Sequence, residues 1–318
     1  MDNQEVFISV CIPTYNRADF LVSCIQSVLN QNYSNYEIVI CDNQSTDNTE
    51  EIVESITDSR IRYIKNSANV GLWGNHNECI KNAKANWIFF LHSDELLENN
   101  DALVIFSDTI QQVNDDVAVI ITSGDRPAIN EYQALKPNAT LIEPTEALFL
   151  SLTGIGSPSG MCYNKNALHK TGEFRTASEL ICTSDHELLA RFSALNYKFY
   201  LINTQILKVI EGDHRMTNKV NKFDYINGFK ILYGDAKTNP NYAKTLAFFY
   251  NNTKHWSGHF IALFILRLSY VESKTTLLRF ILLAFKKRSL LSNNIFYYGL
   301  ANFMFGKNSH YKLLKYVG

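Results

Sequence analysis

Apolar residues in the first part of the chain come in short β-rich runs separated by stretches of helical spacing. Residues 6–12, 37–41, 87–91 and 117–122 are nearly continuous apolar runs, the pattern of strands buried on both faces. Residues 62–64 form a shorter run of the same kind. Between them, residues 19–29, 47–56, 73–84 and 102–113 repeat apolar side chains at three- and four-residue intervals, as an amphipathic helix does. Asp47 stands where an N-terminal cap is wanted. Strand–helix alternation of this kind predicts an α/β fold with a doubly wound, mostly parallel sheet and right-handed crossovers. From Asp125 to Thr183 the pattern loosens: Pro127, Pro137, Pro144 and Pro158 punctuate it, and residues 154–160 read as a loop. Residues 184–195 again have helical spacing, and 198–210 carry one or two strands. Beyond Lys219 the alternation stops, and a Phe-, Tyr-, Leu- and Lys-rich sequence predicts a helical C-terminal appendage. The chain therefore divides into an α/β unit, 1–218, with a break near 124/125, and a helical region, 219–318.

Composition adds a core and a charge asymmetry. The 318 residues are 46% hydrophobic and 19% charged, enough to bury a sizeable core and too apolar for a disordered chain. The net charge of -1 conceals a split, because residues 219–318 hold 15 of the 30 Lys and Arg but only three acids, Asp224, Asp235 and Glu272. An acidic body with a basic tail implies either an anionic partner for the tail or a solvated helical face. No nucleic-acid partner is expected. The six cysteines form no CxxC pair, so no zinc site is legible, and Cys11 and Cys41 lie in apolar runs as core thiols. A reducing, cytoplasmic compartment fits. The first residues have neither a basic start nor a long apolar run, so no signal peptide is expected. Residues 260–285 are apolar but interrupted by Arg267, Glu272, Lys274 and Arg279, and read as an amphipathic or core helix.

In open α/β sheets, ligands bind at the carboxyl ends of the strands. After the first run, Pro13 ends the strand, Thr14 and Asn16 offer a hydroxyl and an amide, Tyr15 offers a ring to a base, and Arg17 follows. After the second, Asp42 can accept from a nucleobase N–H, while Ser45, Thr46 and Asp47 read as turn and cap chemistry. After the third come Asn69, Gly71, Gly74, His76 and Asn77, where glycine permits close backbone approach and a helix start favours phosphate. This is not GxGxxG, which disfavours a dinucleotide fold. After the fourth, His92, Ser93, Asp94 and Glu95 put acids at the end of a buried strand, costly unless a cation pairs with them. Mg²⁺ or Mn²⁺ bridging a diphosphate is such a cation. The alternative is that Asp94 or Glu95 caps the next helix. Asp185, near the start of the 184–195 helix, suits a general base for an acceptor hydroxyl, and the alternative is again a cap from Ser184 or Asp185.

Residues 10–17, 27–31 and 42–47, Asn69 to Gly71 with Asn77, His92 to Asp94, and Ser184–Asp185 with Arg191 resemble, in this order, family-2 glycosyltransferases of the GT-A fold, of the type that builds bacterial surface polysaccharide such as O-antigen. The resemblance covers roughly residues 6–215. It implies a nucleotide-sugar-binding half, 1–124, and an acceptor half, 125–218. Base and ribose would lie on Pro13, Thr14, Tyr15 and Asp42, and the diphosphate near the segment of Asn69, Gly71, His76 and Asn77. Arg17, His92 and Ser93 would be further donor contacts. Asp94 would hold a divalent metal, Mn²⁺ or Mg²⁺, which His214 could approach, and Asp185 would be the base of an inverting transfer. The chain departs from the family pattern at His92 for the first aspartate of DxD, at Asn43 for a second acid, at His76 for a basic residue and at Ser184 for a glutamate. The implied reaction moves one sugar from a nucleotide-sugar donor, UDP-linked in preference, with dTDP and GDP open, to a glycan or lipid-linked glycan.

The tail bears on the acceptor. Lys286, Lys287 and Arg288 follow an apolar helix, and Lys307, Lys312 and Lys315 stand among Tyr311, Leu313, Leu314 and Tyr316. Basic amphipathic segments with aromatics bind anionic membrane surfaces, so a peripheral enzyme on the inner face of the cell membrane is expected. Packing on the catalytic unit, or homodimerisation through the C-terminal helices, is the alternative. Two rival functions are a nucleotidyltransferase, which would want a glycine- and base-rich loop after the first strand, and a non-catalytic nucleotide- or sugar-binding descendant.

Overall fold

The computed structural model describes residues 6–124, 126–155, 157–210 and 222–284. Among them, alternating elements run β1 (Ile8–Thr14), α1 (Ala18–Leu29), β2 (Tyr36–Asp42), α2 (Thr49–Glu54), β3 (Ile61–Lys65), α3 (Gly71–Asn82) and β4 (Trp87–Phe90). After a two-stranded excursion at β5 (Glu95–Leu97) come α4 (Ala102–Gln112) and β6 (Val117–Ser123). The apolar runs are strands and the helical spacings are helices, each within a few residues of the expectation. In α1, Ala18, Leu21, Cys24, Ile25 and Val28 are the buried face.

The loosened stretch holds more structure than its pattern predicts. It contains α5 (Pro127–Leu135), β7 (Leu141–Ile142), α6 (Pro144–Thr153), β8 (Met161–Asn164) and α7 (Lys165–Thr171), before α8 (Ser184–Ala194), β9 (Lys198–Gln205) and β10 (Leu207–Val209). Pro127 and Pro144 are not interruptions. Each stands in the first turn of a helix, where the missing N–H would have had no partner. Four-residue β8 is buried throughout and too short to show a period.

The main sheet runs β3-β2-β1-β4-β8-β6-β9-β7. β1, β2, β3 and β4 are mutually parallel, and β6 and β9 run the same way because β8 is antiparallel to both β4 and β6. The sheet is therefore mostly parallel, with β8 and β7 reversed. Strand alternation sorts the core onto the two faces. Val10, Ile12, Ile38 and Ile40 pack with α1, α2 and α4, while Cys11, Val39, Cys41 and Phe90 face α3 and the rest.

One expectation about β1 is corrected. Pro13 does not end the strand, since Pro13 and Thr14 stay in register with Cys41 and Asp42. The Thr14 carbonyl accepts from Asn43 N on the β2 side at 2.9 Å, so Pro13 faces the β4 side. There the ladder has already ended at Cys11, and no donor is missed.

C-terminal to β10, the helices α9 (Lys222–Ala236), α10 (Tyr242–Asn251), α11 (Gly258–Leu268) and α12 (Lys274–Ala284) follow. Their buried residues, including Tyr233, Phe249, Phe264 and Ile281, and Trp256 between α10 and α11, belong to the same core cluster as α3, α6 and α8. No helix among the described residues is long and apolar enough to cross a membrane. His214 and the basic groups at 286–288 and 307–315 lie outside the described residues.

Candidate active site

The carboxyl ends of β1, β2 and β4 and the start of α8 hold the candidate residues. At the tip of β1, Thr14 is buried and its Oγ1 has no hydrogen-bond partner among the described residues. Tyr15 is 46% exposed, free to offer its ring face. Asn16 has a left-handed backbone (φ 51), and its Oδ1 accepts from Thr46 N at 2.8 Å. Asn16 N donates to Ser45 Oγ at 2.8 Å, and Ala18 N to Asp47 Oδ2 at 3.2 Å. Ser45, Thr46 and Asp47 thus act as turn chemistry and stitch the loop after β1 to the loop after β2, while the N-cap position expected of Asp47 is held by Asn48, without a side-chain bond. Asp47 does not stand inside α2, but its Oδ1 accepts from Thr49 N at 3.1 Å, just ahead of that helix.

Asp42 is fully buried and already engaged. Oδ1 accepts from Ser45 N and Oγ at 2.9 and 2.5 Å, and Oδ2 from the Tyr63 hydroxyl at 2.5 Å. A base N–H arriving here shares the carboxylate with Tyr63. Burial, and then the bond to Asp42, push the Tyr63 phenol upward, so it remains a donor.

Asparagines organise the third loop. Asn43 Nδ2 donates to Asn69 Oδ1 at 2.9 Å and to the Gly71 carbonyl at 3.2 Å, while its Oδ1 accepts from Val70 N at 2.8 Å. Asn66 Nδ2 reaches Asn75 Oδ1 at 2.9 Å, and Asn75 Nδ2 donates to the Cys41 carbonyl at 2.8 Å. An aspartate at 43 could accept but not donate. Asn43→Asp is therefore expected to cost about 1–2 kcal/mol in a denaturant titration, because both donated bonds are lost and a carboxylate is set against Asn69 Oδ1. Gly71 N is also taken, by Asn69 Oδ1 at 3.0 Å, so the start of α3 is less open to a phosphate than its sequence suggested.

Two candidate donor residues are already engaged within the protein. Asn77 commits its amide to the Phe174 backbone, donating to the carbonyl at 2.8 Å and accepting from N at 3.1 Å, and so anchors the segment ahead of α8. His76 is buried and supplies no positive charge. Burial, aided by His92, drives its pKa down to about 3. Its Nδ1 donates to the Leu72 carbonyl at 2.9 Å, leaving Nε2 to accept from His92 Nε2 at 3.2 Å. His92 then presents Nδ1 toward Ser157 Oγ at 3.5 Å.

Ser93 is buried and Asp94 half-buried beside it. No helix follows for Asp94 or Glu95 to cap, because β5 pairs with β10 and the Asp94 carbonyl accepts from Ile210 N at 2.9 Å. Glu95 accepts from Ser159 Oγ instead. Arg126, missed in the sequence, is a buried cation whose guanidinium holds the Ile155, Ser157 and Ser159 carbonyls and so fixes the loop over His92. No trio of His, Cys, Asp or Glu suited to a metal ion is present among the described residues. A diphosphate-borne hard cation needs few protein ligands, and the Asp94 carboxylate is an oxygen donor of the kind it takes.

Asp185 lies in the first turn of α8 and does not act as its cap, which Thr183 occupies without a side-chain bond. Ser184 Oγ is turned to the Arg175 carbonyl at 2.7 Å. Burial raises the Asp185 carboxyl above its ordinary value, against the pull of His186 and His92.

Comparison with known sequences agrees with this geometry. The family model for glycosyl transferase family 2 matches residues 9–195. The chain belongs to glycosyl transferase family 2. WfaP of Escherichia coli, a UDP-Glc:α-D-GlcNAc-diphosphoundecaprenol β-1,3-glucosyltransferase, is 44% identical over 88 residues, 28% of this chain and 35% of that protein. WfgD of the same organism, described by the same activity, is 37% identical over 92 residues, 29% of this chain and 36% of its own length. The match thus spans about a third of these relatives. Among solved structures, TarS of S. aureus with UDP-GlcNAc superposes with a TM-score of 0.62 at 17% identity, over 95% of this chain and 93% of that one. A Pyrobaculum calidifontis mannosyltransferase with GDP-Man and Mn²⁺ gives 0.55 at 16% identity, over 90% and 87%. At these identities the likeness is one of fold, and the fold is GT-A.

Proposed function

We propose that this protein transfers a sugar from a nucleotide-sugar donor, UDP-linked in preference, to a glycan or lipid-linked glycan, with inversion at the anomeric carbon. The observation that carries the reading is Asp185: a buried carboxylate, raised by its burial, in the first turn of α8. The UDP-Glc and diphosphoundecaprenol in the names of WfaP and WfgD support the donor and acceptor classes.

In this reading the Thr14 hydroxyl, the Tyr15 ring and the Asp42 carboxylate take the nucleoside, with Arg17 beside them, and Asn43 and Asn69 fix the loop past which the diphosphate lies. A divalent cation on Asp94, with His92 beside it, would supply charge stabilisation to the departing diphosphate. His214 remains a candidate for that cation. Asp185 accepts the proton of the acceptor hydroxyl. The base works as a carboxylate, so activity falls as pH drops through its raised value. Arg126 and Asn77 hold the acceptor-side loops. Leu278 and Leu282, one turn apart on α12 and 40% and 56% exposed, lead into the basic segment and support a peripheral place on the inner face of an anionic membrane.

The test is thermal-shift and donor-hydrolysis screening against UDP-, dTDP- and GDP-sugars, with and without Mn²⁺. UDP-sugars are expected to stabilise the protein only with metal, and Asp94→Ala to abolish that response. Stabilisation by no nucleotide sugar under either condition would overturn the assignment.

A further inference from the structure

Helix α3 is spent on two different parts of the candidate site. Asn75 is buried, and its Nδ2 donates to the Thr14 carbonyl at 3.3 Å and the Cys41 carbonyl at 2.8 Å, tying the helix to the strand tips assigned to the nucleoside. Trp73 and Asn77 stand one turn apart and project from the opposite side, since residues two apart on a helix point nearly opposite ways. Both hold the segment that leads into α8. Asn77 takes the N–H and the carbonyl of Phe174. The Trp73 indole stacks on the Phe174 ring, with centroids 5.0 Å apart and planes at 21°, and its Nε1 donates to the Ile181 carbonyl at 2.9 Å. Ile181 is four residues ahead of Asp185. The path from these anchors to the helix is short and bonded. Thr183 N donates to the Leu180 carbonyl at 2.9 Å, Ser184 Oγ to the Arg175 carbonyl at 2.7 Å, and Glu187 N to the Thr183 carbonyl at 2.9 Å.

We propose that Trp73 and Asn77 are positioning residues for the base: they hold the segment before α8, and with it Asp185, at a set distance from the nucleoside-binding tips of β1 and β2. The proposal rests on Asp185 being the base. A buried indole N–H needs an acceptor, and many carbonyls would serve. This one belongs to a residue that is 36% exposed, where water could take its place, so the bond is not required to satisfy the carbonyl. Its effect is to fix the backbone. A base has to stand within hydrogen-bond reach of the proton it takes, and a misplacement of about 1 Å can cost about 10²-fold in rate.

Trp73→Phe keeps a ring for Phe174 to stack on and removes the N–H. Asn77→Ser frees the other anchor and leaves the indole in place. Each is expected to lower kcat about tenfold, with donor KM within about twofold of the wild type. Neither is expected to add a further loss in an Asp185→Asn background, because a residue that acts through the base then has nothing to act on. Unchanged kcat in either variant overturns the proposal. An equal loss with and without the Asp185 carboxylate overturns it too, because the effect would then be one of packing alone. If one of the two variants does not fold, the other decides by the same criteria. Full turnover in Asp185→Asn alone overturns the assignment of the base and the proposal with it, and is read in a different variant from the other failures.

Discussion

Asp185→Asn is expected to lower kcat about 10³-fold while leaving UDP-sugar affinity within twofold, the size of a missing general base. The amide keeps the shape and can still accept from His186 N, which the carboxylate does at 2.9 Å. The loss is therefore one of chemistry and not of the loop. The same variant should melt no lower than the wild type. Burial raises the folded-state value of Asp185 above its unfolded value, so the native state binds the extra proton between the two. Stability from this group is then present at low pH and lost as pH rises through that window. Replacing the carboxylate by a neutral amide removes the penalty at neutral pH. Parallel turnover assays and melts at pH 7 check both halves. Retained turnover, or lost turnover accompanied by a large fall in Tm, would each remove Asp185 from the role of base.

Where the sequence carried a period, the structure followed it. β1 to β4 and their helices were legible because each buried run is long enough to show its alternation or its helical stripe. Residues 125–183 were not. There β8 reverses direction within four residues, and Pro127 and Pro144 open helices where proline more often marks a break. The tips of β1, β2 and β4 and the start of α8 were readable because a ligand end of an open sheet collects polar residues after apolar ones. What those polar residues do was less readable. Asn77 and His76 have the chemistry of donor contacts, yet Asn77 is spent on Phe174 and His76 on orienting His92. Only the three-dimensional partner distinguishes an amide that meets a ligand from one that braces a loop. Arg126 lay outside every motif, and a buried cation leaves no mark in a periodicity. The repeated asparagines at 43, 66, 69 and 75 were the one available signal for the network behind the third loop.

Trp256→Ala is expected to cost about 3–5 kcal/mol and to lower the melting of the α/β unit and the C-terminal helices in one transition. Trp256 is fully buried, and its Nε1 donates to the Phe249 carbonyl at 3.2 Å. Its ring lies 5.1 Å from Phe149 on α6, 5.6 Å from Phe260 on α11, and stacks on Phe249 of α10 at 6.3 Å. Truncation leaves a cavity bordered by α6, the helix whose last carbonyls hold His186, Tyr233 and Arg267. A separately folding appendage would behave differently, with one transition moving and that of the α/β unit staying in place. Chemical denaturation followed by far-ultraviolet circular dichroism, and by ligand-induced protection of the donor site, distinguishes the two. Coincident curves, both shifted, mean that the C-terminal helices complete the catalytic unit. The candidate base Asp185 would then depend on helices that the sequence pattern alone sets apart from it, because Arg267 and Tyr233 brace the helix end against which its chain neighbour His186 is fixed.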